Sequence, residues 1–532
     1  MQHVQTALRN SPRADLERRF TGRFYTPAVI ADRLAQQALS ICPAPNSLGD
    51  PFCGDGRLVI AWVRQASRSA RRSLRQIVLW DYDADAVRIA RQRVQAELST
   101  LGWTNFVSVQ AEPCDTFARV SQMLGRIETV ITNPPWELLK PDVRDRLSEA
   151  GKFKDQLRIY AATLAREFPG ALSAKGKAMT GYGVNLARAG AIASAMLASA
   201  KGAVAIVLPS SIFGDQASAP FRNEFFSRLR VARLDWYPAE ARLFGGVDQP
   251  FVTAVAVAGS ETSSFLLTRF DKNLSVFDER SSKLSGNRAK ALAFNVAAHH
   301  EDIVAELAAK HAPLGLLEVD MRYGLWLGRE LDETRLADSL TRGRGGVPFL
   351  KGRHVFPFEI VRDDDWRVDP RKREIPSTIR ETRLAWRDVS RPNQRRRMHV
   401  AVVPAGYVTG NSLGVGFLRY APCDWLGVLV AVMNSMVFEL QVRAHLATAH
   451  VSQGVLRHCS IPVQCFEDAS IRGRILTLVD ERLASRNELP TLEITIARAY
   501  GLAKEQFADV LDAFPKLTNA ERSAHLQTEC WA

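Results

Sequence analysis

The residues with the clearest chemistry are Thr132-Asn133-Pro134-Pro135-Trp136, which end a short β-branched run in the chain. Two consecutive prolines exclude a helix and a central strand, so they predict a rigid loop just past the strand. The Asn133 amide and the Pro134 carbonyl then offer two hydrogen-bond acceptors. Acceptors that converge on an amino group would turn its lone pair toward an electrophilic methyl group.

Trp136 adds a flat aromatic face to this loop. Stacking of a base on such a face contributes about 1–3 kcal/mol. This offsets much of the few kcal/mol needed to pull a base out of a duplex. The segment therefore predicts a site for a flipped base, and the alternative is a structural turn with no part in chemistry.

A second candidate is the glycine-containing turn Asp50-Pro51-Phe52-Cys53-Gly54-Asp55-Gly56. It lies between the first predicted strand and the first predicted helix. Glycines at such a place let the backbone turn tightly and approach a ligand closely. A purely structural turn is the alternative, because turns of this kind also occur without a ligand.

Two carboxylates follow the next strands of the pattern. Asp81, at the end of the second strand, is placed to accept both ribose hydroxyls of a nucleoside. The chain has no lysine of the Walker type, and S-adenosyl-L-methionine is a nucleoside ligand that needs no phosphate site. Asp115, or with less support Glu112, follows the third strand and could face an adenine amino group. A helix cap explains Asp115 equally well.

The elements that position these residues alternate between short β-branched runs and helical stretches from Ser47 to about Gly259. This alternation predicts an α/β fold with a parallel sheet covered on both faces, where ligands bind at the carboxyl ends of the strands. The predicted strands are Leu48–Phe52, Gln76–Trp80, Phe106–Gln110, Glu128–Thr132, Ala203–Leu208, Val231–Tyr237 and Phe251–Ala258. The main predicted helices are Ala28–Leu39, Arg57–Ser69, Ala84–Thr100, Thr116–Leu124, Val184–Ala200 and Phe221–Arg228.

The chain of 532 residues is longer than one compact core usually accommodates, so we expect at least two domains. Because the alternation stops after about Thr262, we place the domains at 1–262 and 263–532. An alanine-rich stretch, Ala289–Lys310, predicts a helical connector at about 285–312. The remainder is mixed α and β, and mainly helical from Trp425 onward.

The composition is that of a globular protein, with 46% hydrophobic and 24% charged residues and a net charge of +13. A chain this basic attracts polyanions, of which double-stranded DNA and RNA are the first candidates. A role of the charge in solubility or at a membrane surface is the alternative.

Several other classes of site are not indicated. Seven cysteines are scattered without a CxxC pair, and the histidines do not have metal-ligand spacing, so we expect no metal. The amino-terminal sequence lacks an apolar signal region, and apolar stretches such as Trp425–Val437 are too short to cross a bilayer. These features predict a cytoplasmic location, and the attraction of the basic chain to DNA would associate it with the nucleoid.

Arginines concentrate in the second predicted domain. Such side chains contact phosphates or guanine edges. The alternative for each cluster is a solvated charged loop. The main run is Arg383, Arg387, Arg391, Arg395, Arg396 and Arg397, and a second cluster is Arg371-Lys372-Arg373.

Together these motifs resemble the gamma class of N6-adenine DNA methyltransferases from restriction–modification systems, with type IIS and IIG enzymes most similar. The shared order is Phe24-Tyr25-Thr26-Pro27, the glycine turn, the Asn-Pro-Pro-aromatic loop, and then a target-recognition domain. Read alone, Phe24 to Pro27 is only an aromatic pair at a helix start. The resemblance implies a seven-stranded, mostly parallel Rossmann-like sheet followed by a mixed α+β recognition domain.

The resemblance also implies roles for individual residues. S-adenosyl-L-methionine would be held by Phe24, Tyr25, Thr26, Pro27, Asp50, Pro51, Gly54, Gly56, Asp81 and Asp115. The flipped adenine would be held by the loop from Asn133 to Trp136, with Arg242–Val247 lining its pocket. The family transfers the methyl group in line from the sulfonium to N6 without a covalent enzyme intermediate. Two departures are Asp81 where glutamate is commoner, and Trp136 where tyrosine or phenylalanine is commoner.

In the carboxy-terminal half the resemblance rests on looser pieces. They make Arg353 a further DNA-binding candidate beside Arg383, Arg387, Arg395, Arg396 and Arg397. Only about twenty residues precede the Phe-Tyr-Thr-Pro motif, so we expect no nuclease activity in this chain, with a separately encoded restriction endonuclease as a possible partner. The pieces are Phe349–Arg353, Arg383–Trp386, Val432–Ser435 and Leu456–Pro462.

Two alternative functions stay open at this point. Asn-Pro-Pro-aromatic loops also orient other amino groups, so methylation of a protein glutamine or of RNA is one alternative. The other is a DNA-binding subunit without catalytic activity. The intact Asn133–Trp136 loop and the glycine turn favour an enzyme over such a subunit.

Overall fold

A computed structural model of the protein divides the chain into two compact units, Met1–Leu292 and Ala293–Ala532. The predicted boundary at 262 is too early by thirty residues, because the two strands that follow it belong to the sheet of the first unit. The residues that the structure describes are 25–103, 106–139, 160–172, 184–245, 249–284, 287–336, 338–343, 345–391, 394–446, 449–486, 489–527 and 531.

The first unit is built on a nine-stranded sheet with strand order β11-β10-β8-β9-β7-β4-β1-β2-β3. Strands β5 and β6 form a separate short antiparallel pair. The strands are β1 Ser47–Asp50, β2 Gln76–Asp81, β3 Ser108–Pro113, β4 Ile127–Thr132, β5 Leu138–Leu139, β6 Val184–Asn185, β7 Ala198–Pro209, β8 Leu229–Tyr237, β9 Phe251–Ala258, β10 Ser264–Phe270 and β11 Val276–Lys283.

All seven predicted strands are present in this sheet, but the predicted count of seven is wrong because β10 and β11 extend it. The sheet is mixed. The pairs β7–β9, β8–β9 and β10–β11 are antiparallel. Strands β1, β2, β3, β4 and β7 are parallel to their neighbours in that group, so their carboxyl ends lie along one edge.

The helices of the first unit follow from apolar spacing and from caps. Helix α4 begins where the Asp83 carboxylate accepts the amide hydrogen of Asp85 at 2.9 Å, which satisfies a donor of the first turn. It buries the predicted apolar face, Val87, Ala90, Val94 and Leu98. The helices are α1 Ala28–Ile41, α2 Arg57–Gln65, α3 Arg68–Ser73, α4 Ala84–Thr100, α5 Thr116–Arg119, α6 Leu186–Leu197, α7 Ser211–Gly214 and α8 Ala219–Arg228.

The second unit combines two four-stranded sheets with a group of helices. The sheets have the orders β13-β22-β19-β20 and β14-β18-β15-β21. The strands are β12 Ala312–Pro313, β13 Leu325–Gly328, β14 Leu340–Arg342, β15 Val347–Leu350, β16 Val355–Phe356, β17 Glu359–Ile360, β18 Trp366–Val368, β19 Arg383–Arg387, β20 Val400–Val403, β21 Val408–Thr409, β22 Leu413–Leu418 and β23 Ser460–Ile461. The helices are α9 Ala298–Lys310, α10 Asp424–Asn434, α11 Met436–His445, α12 Gln453–His458, α13 Gln464–Glu467, α14 Ala469–Ser485, α15 Pro490–Ala499, α16 Lys504–Asp512 and α17 Asn519–Leu526.

The predicted connector helix is shorter than expected. It covers Ala298–Lys310 in place of Ala289–Lys310. The Ala297 amide donates to Nδ1 of His300 at 3.1 Å, so a side chain satisfies the donor at the position where the helix begins. Alanine content alone therefore overestimated the helix at its amino-terminal end.

A buried carboxylate organises the interior of the second unit. Glu439, on α11, is fully buried and accepts hydrogen bonds from Arg396 Nε at 2.9 Å and Arg443 Nη2 at 2.7 Å. The amides of Arg397 and Met398 also donate to it, at 2.7 and 3.2 Å. Burial alone would raise the pKa of Glu439, but the two arginine charges and these hydrogen bonds outweigh it and lower the pKa to about 2.

In the described part of the chain, no single helix has both the length and the apolar character of a membrane span. The pair α10 and α11, bent by 62° at its break, meets those criteria only when the two helices are taken together.

We predict that Glu439→Gln lowers the free energy of unfolding of the full chain by about 3–5 kcal/mol, because the Arg443 guanidinium loses its counter-charge and that of Arg396 keeps the longer pair with Glu493, at 3.5 Å. In the wild type, the contribution of Glu439 is complete above its ordinary pKa of about 4.3 and is lost as the pH falls toward 2. Denaturant unfolding between pH 7 and pH 2.5 measures both effects. The exposed pair of Glu306 and Lys310 provides the control, and Glu306→Gln should leave the free energy of unfolding nearly unchanged because solvent screens an exposed ion pair. Equal effects of the two substitutions would contradict this role of Glu439.

Candidate functional site

The site begins with a hydrogen bond between the ends of two neighbouring strands. Asp50 ends β1 and is 1% exposed, and its Oδ1 accepts the Thr132 hydroxyl at 2.6 Å. The amide of Phe52 also donates to it, at 3.1 Å. Burial raises the pKa of Asp50 to about 7, and these two hydrogen bonds oppose that rise. The carboxyl group thus connects the start of the glycine turn to the start of the Asn-Pro-Pro-Trp loop.

The glycine turn needs its glycines for two different reasons. Gly54 and Gly56 have φ of +48° and +80°, in the left-handed region that favours glycine. A Cβ at Gly56 would also lie 3.2 Å from the backbone of Ala90, so helix α4 packs directly against the turn. The predicted tight turn is therefore present where β1 leads into α2.

Asp81, at the end of β2, holds this turn. Its Oδ2 accepts the Gly54 amide at 2.9 Å, and its Oδ1 accepts the Asp83 amide at 3.0 Å. Each carboxylate oxygen can accept more than one hydrogen bond, and Asp81 is partly exposed. The carboxylate can therefore support the turn and still accept hydroxyl groups of a ligand.

Asp115 is a helix cap, as the alternative interpretation of the sequence had it. Its Oδ1 accepts the Phe117 amide at 3.0 Å at the start of α5. Its Oδ2 accepts the hydroxyl of Tyr160 at 2.9 Å. The Cys114 amide, next to it, donates to the Asp81 carbonyl at 2.9 Å, so the two carboxylates lie at adjacent strand ends.

The segment before α1 contacts both motifs. Thr26 is buried, and its hydroxyl accepts the Asn133 amide group at 3.2 Å. The Thr26 carbonyl accepts a hydrogen bond from Arg57 Nη1 at 2.8 Å. Tyr25 and Pro27 complete this segment, whereas Phe24 lies outside the described residues. The structure therefore brings Thr26, the glycine turn and Asn133 together.

Arg57 is a residue to which the sequence analysis gave no role. Its guanidinium lies 4.7 Å from the centre of the Tyr25 ring and pairs with Asp55 at 2.8 Å. Asp55 also pairs with Arg93 from α4 at 2.5 Å. The available signal was the position of Arg57 directly after the glycine turn, where a cation can bond the preceding carboxylate.

Helix α6 packs against the Asn-Pro-Pro-Trp loop. A Cβ at Gly190 would overlap Pro134 and lie 3.3 Å from the Phe52 ring, so only glycine lets the helix approach this closely. The Leu186 amide donates to the Glu137 carbonyl at 2.9 Å and fixes the far end of the loop. The loop is therefore held by both β4 and α6.

Trp136 is partly buried at one end of a series of aromatic rings. Its ring centre lies 5.1 Å from that of Phe244 and 6.2 Å from that of Phe251. Tyr237 stacks between Phe251 and Phe270, at 4.8 and 4.9 Å. Phe244 belongs to the segment 242–247 that the resemblance assigned to the base pocket, of which residues 246–247 lie outside the described part.

The series is anchored at its other end by a buried carboxylate. Arg33 lies 4.7 Å from the centre of the Phe270 ring and donates to Asp235 at 2.7 Å. Asp235 is fully buried on β8 and also accepts hydrogen bonds from Gln37 and Arg233. Because Arg33 lies on α1, the helix that follows Thr26 is fastened to the same strands that carry the rings. The predicted strands contain Tyr237 and Phe251, whereas Phe270 lies after the last of them. The sequence analysis gave none of these three residues a role.

Two of the predicted DNA-binding arginines, Arg383 and Arg397, are buried inside the second unit, and a third, Arg396, is mostly buried. Arg383 is fully buried, pairs with Glu330 at 3.1 Å and donates to the Tyr407 carbonyl at 2.6 Å. Arg396 pairs with Glu439, and Arg397 donates to the Ser390 carbonyl at 2.8 Å. This placement differs from the prediction and gives these arginines structural partners in place of phosphates.

The other three are partly accessible. Arg387 donates to the carbonyls of Gly352 and Val355, at 3.0 and 2.7 Å. Arg353 pairs with Asp364, and Arg395 pairs with Glu521 at 2.8 Å. The side chains of the second cluster, Arg371-Lys372-Arg373, include more exposed ones.

That second cluster follows strand β18. The Arg371 side chain is 88% exposed and pairs with Asp369 at 3.1 Å, while Lys372 is exposed and donates to the Asp338 carbonyl. Arg342, on the neighbouring strand β14, is exposed and lies 4.5 Å from the centre of the Trp366 ring. We call Arg342, Arg371 and Lys372 the basic surface of the second unit.

One group in the described residues has the composition of a metal site, namely His354, Asp363 and Asp364. The Lys351 amide donates to His354 Nδ1 at 3.1 Å, which makes Nδ1 an acceptor and places the hydrogen on Nε2. Nε2 lies 3.1 Å from Asp364 and 3.3 Å from Nε of Arg353. Arg353 also neutralises Asp364, so the arrangement is that of a hydrogen-bonded cluster.

Comparison with solved structures identifies proteins of similar fold. The type IIL restriction-modification enzyme MmeI in complex with DNA matches with a TM-score of 0.52 and 11% identity, over 93% of this chain and 74% of that chain. The DrdV–DNA complex matches with a TM-score of 0.51 and 10% identity, over 86% and 57%. The type IIG restriction endonuclease BpuSI matches with a TM-score of 0.42 and 13% identity, over 94% and 64%.

The likeness to MmeI and DrdV shows that this chain shares their fold. The chain spans less than two thirds of the length of the BpuSI and DrdV chains. No protein-family model matches the sequence, and no curated protein does.

We predict that Gly56→Ala destabilises the chain by about 2 kcal/mol or more, because it adds both a strained φ and a close contact with Ala90. Gly125→Ala is the matched control, since Gly125 has φ of +66° and a Cβ there meets no described atom within 4 Å. The control should lose only the cost of the left-handed conformation, about 1 kcal/mol. Denaturant unfolding of both variants measures the difference, and equal losses would show that α4 does not press on the turn.

Proposed function

We propose that this protein is an S-adenosyl-L-methionine-dependent DNA methyltransferase that methylates N6 of adenine in double-stranded DNA. The observation that carries the proposal is the connection of the glycine turn to the Asn-Pro-Pro-Trp loop through Asp50–Thr132 and Thr26–Asn133. A methyl transfer needs the donor and the acceptor amine at a fixed separation. These hydrogen bonds give the two motifs such a separation.

The residues around the turn fit S-adenosyl-L-methionine, which would supply a sulfonium methyl group. Asp81 and Asp115 are partly exposed carboxylates at adjacent strand ends, suited to ribose hydroxyls and to an adenine amino group. The left-handed glycines leave the backbone of the turn open to a ligand. Thr26 lies between this turn and Asn133, where the reactive part of the ligand would end.

Asn133 is placed to orient the acceptor amine. Its Nδ2 donates to the Thr26 hydroxyl, which fixes the amide so that Oδ1 serves as the acceptor. The Pro134 carbonyl supplies a second acceptor in the same loop. With both N–H groups of an adenine held this way, the N6 lone pair attacks the methyl carbon as the carbon–sulfur bond breaks and its electron pair goes to sulfur. The extra proton on N6 then leaves to solvent, so this chain contributes positioning and electrostatics.

The aromatic end of the site supports recognition of an extruded base. Trp136 offers a partly accessible ring beside Phe244, and stacking there would offset the cost of flipping a base. The ring series back to Arg33 keeps Trp136 in one orientation.

The second unit would contact the duplex. Because Arg383 and Arg397 are buried and Arg396 is paired with Glu439, we assign phosphate contacts to the basic surface and to the half-exposed Arg353 and Arg395. The shared fold with MmeI and DrdV supports a place in a restriction–modification system. There the chain would act as the protective modification enzyme.

Asn133→Ala should lower the rate of methyl transfer to duplex DNA at least 100-fold while DNA affinity changes less than twofold, because it removes an acceptor for the amine. The measurement is transfer of a labelled methyl group, with chromatographic identification of the modified base. Asn46→Ala is the control, since Asn46 bonds Glu128 at the opposite end of β1 and should keep full activity. RNA and a glutamine-containing protein serve as parallel acceptors. Transfer to either of them in place of DNA, or to a base other than adenine, would contradict the proposal.

Replacing Arg371 and Lys372 together by alanine should weaken DNA binding. The slope of log K against log salt concentration should become less negative by about two, because two phosphate contacts are lost. Lys310→Ala is the control, because Lys310 is exposed but paired with Glu306 on α9. An unchanged slope in the double variant would show that the basic surface does not contact DNA.

A further inference from the structure

The hydrogen bond between Tyr160 and Asp115 joins parts of the chain that are distant in sequence. Tyr160 lies in the helical residues 160–167, which follow the Asn-Pro-Pro-Trp loop. Its hydroxyl nevertheless donates to Asp115 Oδ2 at 2.9 Å, beside the carboxyl end of β3. The segment after the base loop thus returns to the carboxylate that we assign to the cofactor.

The two oxygens of Asp115 have different partners, which fixes the plane of the carboxylate. Oδ1 accepts the Phe117 amide at 3.0 Å as a helix cap, and Oδ2 accepts the Tyr160 hydroxyl. A cap needs only one oxygen, so the bond to Tyr160 is not required to start α5. Asp115 is still partly exposed, and each oxygen keeps capacity for one more hydrogen.

Tyr160 is itself held in place. Leu164 and Phe168, one and two turns further along, are each 1% exposed. The Phe168 ring centre lies 5.6 Å from that of Phe117, which lies 5.5 Å from that of Phe52 in the glycine turn. Burial raises the pKa of Tyr160 above its ordinary value, so the hydroxyl stays a donor at neutral pH.

We propose that Tyr160 is a positioning residue that aims Asp115 at the exocyclic amino group of the cofactor's adenine. This inference rests on the proposed function, since it deepens the assignment of the cofactor. A carboxylate is an acceptor only, and it therefore selects a purine that carries an amino group there over one that carries a carbonyl oxygen. Tyr160 would thus set the preference for an adenosine cofactor over its deaminated, inosine form.

The experiment compares S-adenosylhomocysteine with S-inosylhomocysteine, binding each to the full chain by calorimetry. In the wild type we expect tighter binding of S-adenosylhomocysteine. Tyr160→Phe should weaken that ligand about 5- to 20-fold and leave S-inosylhomocysteine within twofold, because the hydroxyl acts only through the amino-group contact. Asp115→Asn should reduce the discrimination further, and adding Tyr160→Phe to it should have no additional effect on the ratio.

Phe168→Leu is the matched control. It loosens the same helix from Phe117 without touching Asp115, so any loss of affinity should be equal for the two ligands. Thermal unfolding of each variant reports its stability separately.

The outcomes separate the two levels of the proposal. If the wild type binds neither ligand, the cofactor assignment under the proposed function fails, and the inference fails with it. If the wild type binds but Tyr160→Phe weakens both ligands equally, the residue is merely structural and the inference alone is overturned. Tighter binding of S-adenosylhomocysteine by Tyr160→Phe would also overturn it, because the hydroxyl would then compete for Asp115.

Discussion

The buried hydrogen bond from Thr132 to Asp50 is the constraint on which the arrangement of the site depends. Strands β1 and β4 are parallel neighbours, so any two groups at their carboxyl ends are close, but only a specific bond fixes their offset. A desolvated carboxyl beside a hydroxyl supplies that bond, and burial brings the pKa of Asp50 to about 7. The glycine turn and the Asn133 loop take their positions from these two strand ends. Asp81 holds the turn from the end of β2, and Thr26 joins the loop from the other side.

Much of the first unit could be predicted because its signals are local. All seven predicted strands and the buried face of α4 are present, with strand bounds that differ by a few residues from the predicted ones. Strand β11, Val276–Lys283, was missed because its polar sequence matches no buried strand, and it pairs only through its neighbour β10. The domain boundary was misplaced because β10 and β11 both continue the sheet of the first unit. The helix expected from Ala289 begins at Ala298, because its start is set by the hydrogen bond from the Ala297 amide to His300 and not by alanine content.

The motifs of the candidate site were predicted from the sequence, but the contacts that connect them were not. The Asn-Pro-Pro-Trp loop and the glycine turn follow from residue types at strand ends, whereas Arg57, Tyr160 and the rings behind Trp136 act through contacts distant in sequence. For the arginine run, the sequence predicted contacts with DNA where the structure shows contacts within the protein. Arg396 was predicted to contact DNA because its partner, Glu439, lies more than forty residues away in the chain. Charge along a sequence does not reveal which cations are neutralised inside a fold.

The close packing of Gly190 against Pro134 has a consequence for how the first unit assembles. All of β1 to β4, with both motifs, is synthesised before α6 emerges, yet the surface beneath the proline ring belongs to α6. A nascent chain that ends before Leu186 would contain β1 to β4 and the glycine turn but would lack the helix surface against which the loop packs. The loop therefore reaches its packed position late, when α6 docks against it. The formation of β1 to β4 is therefore a separate step from the final positioning of the loop at their carboxyl ends.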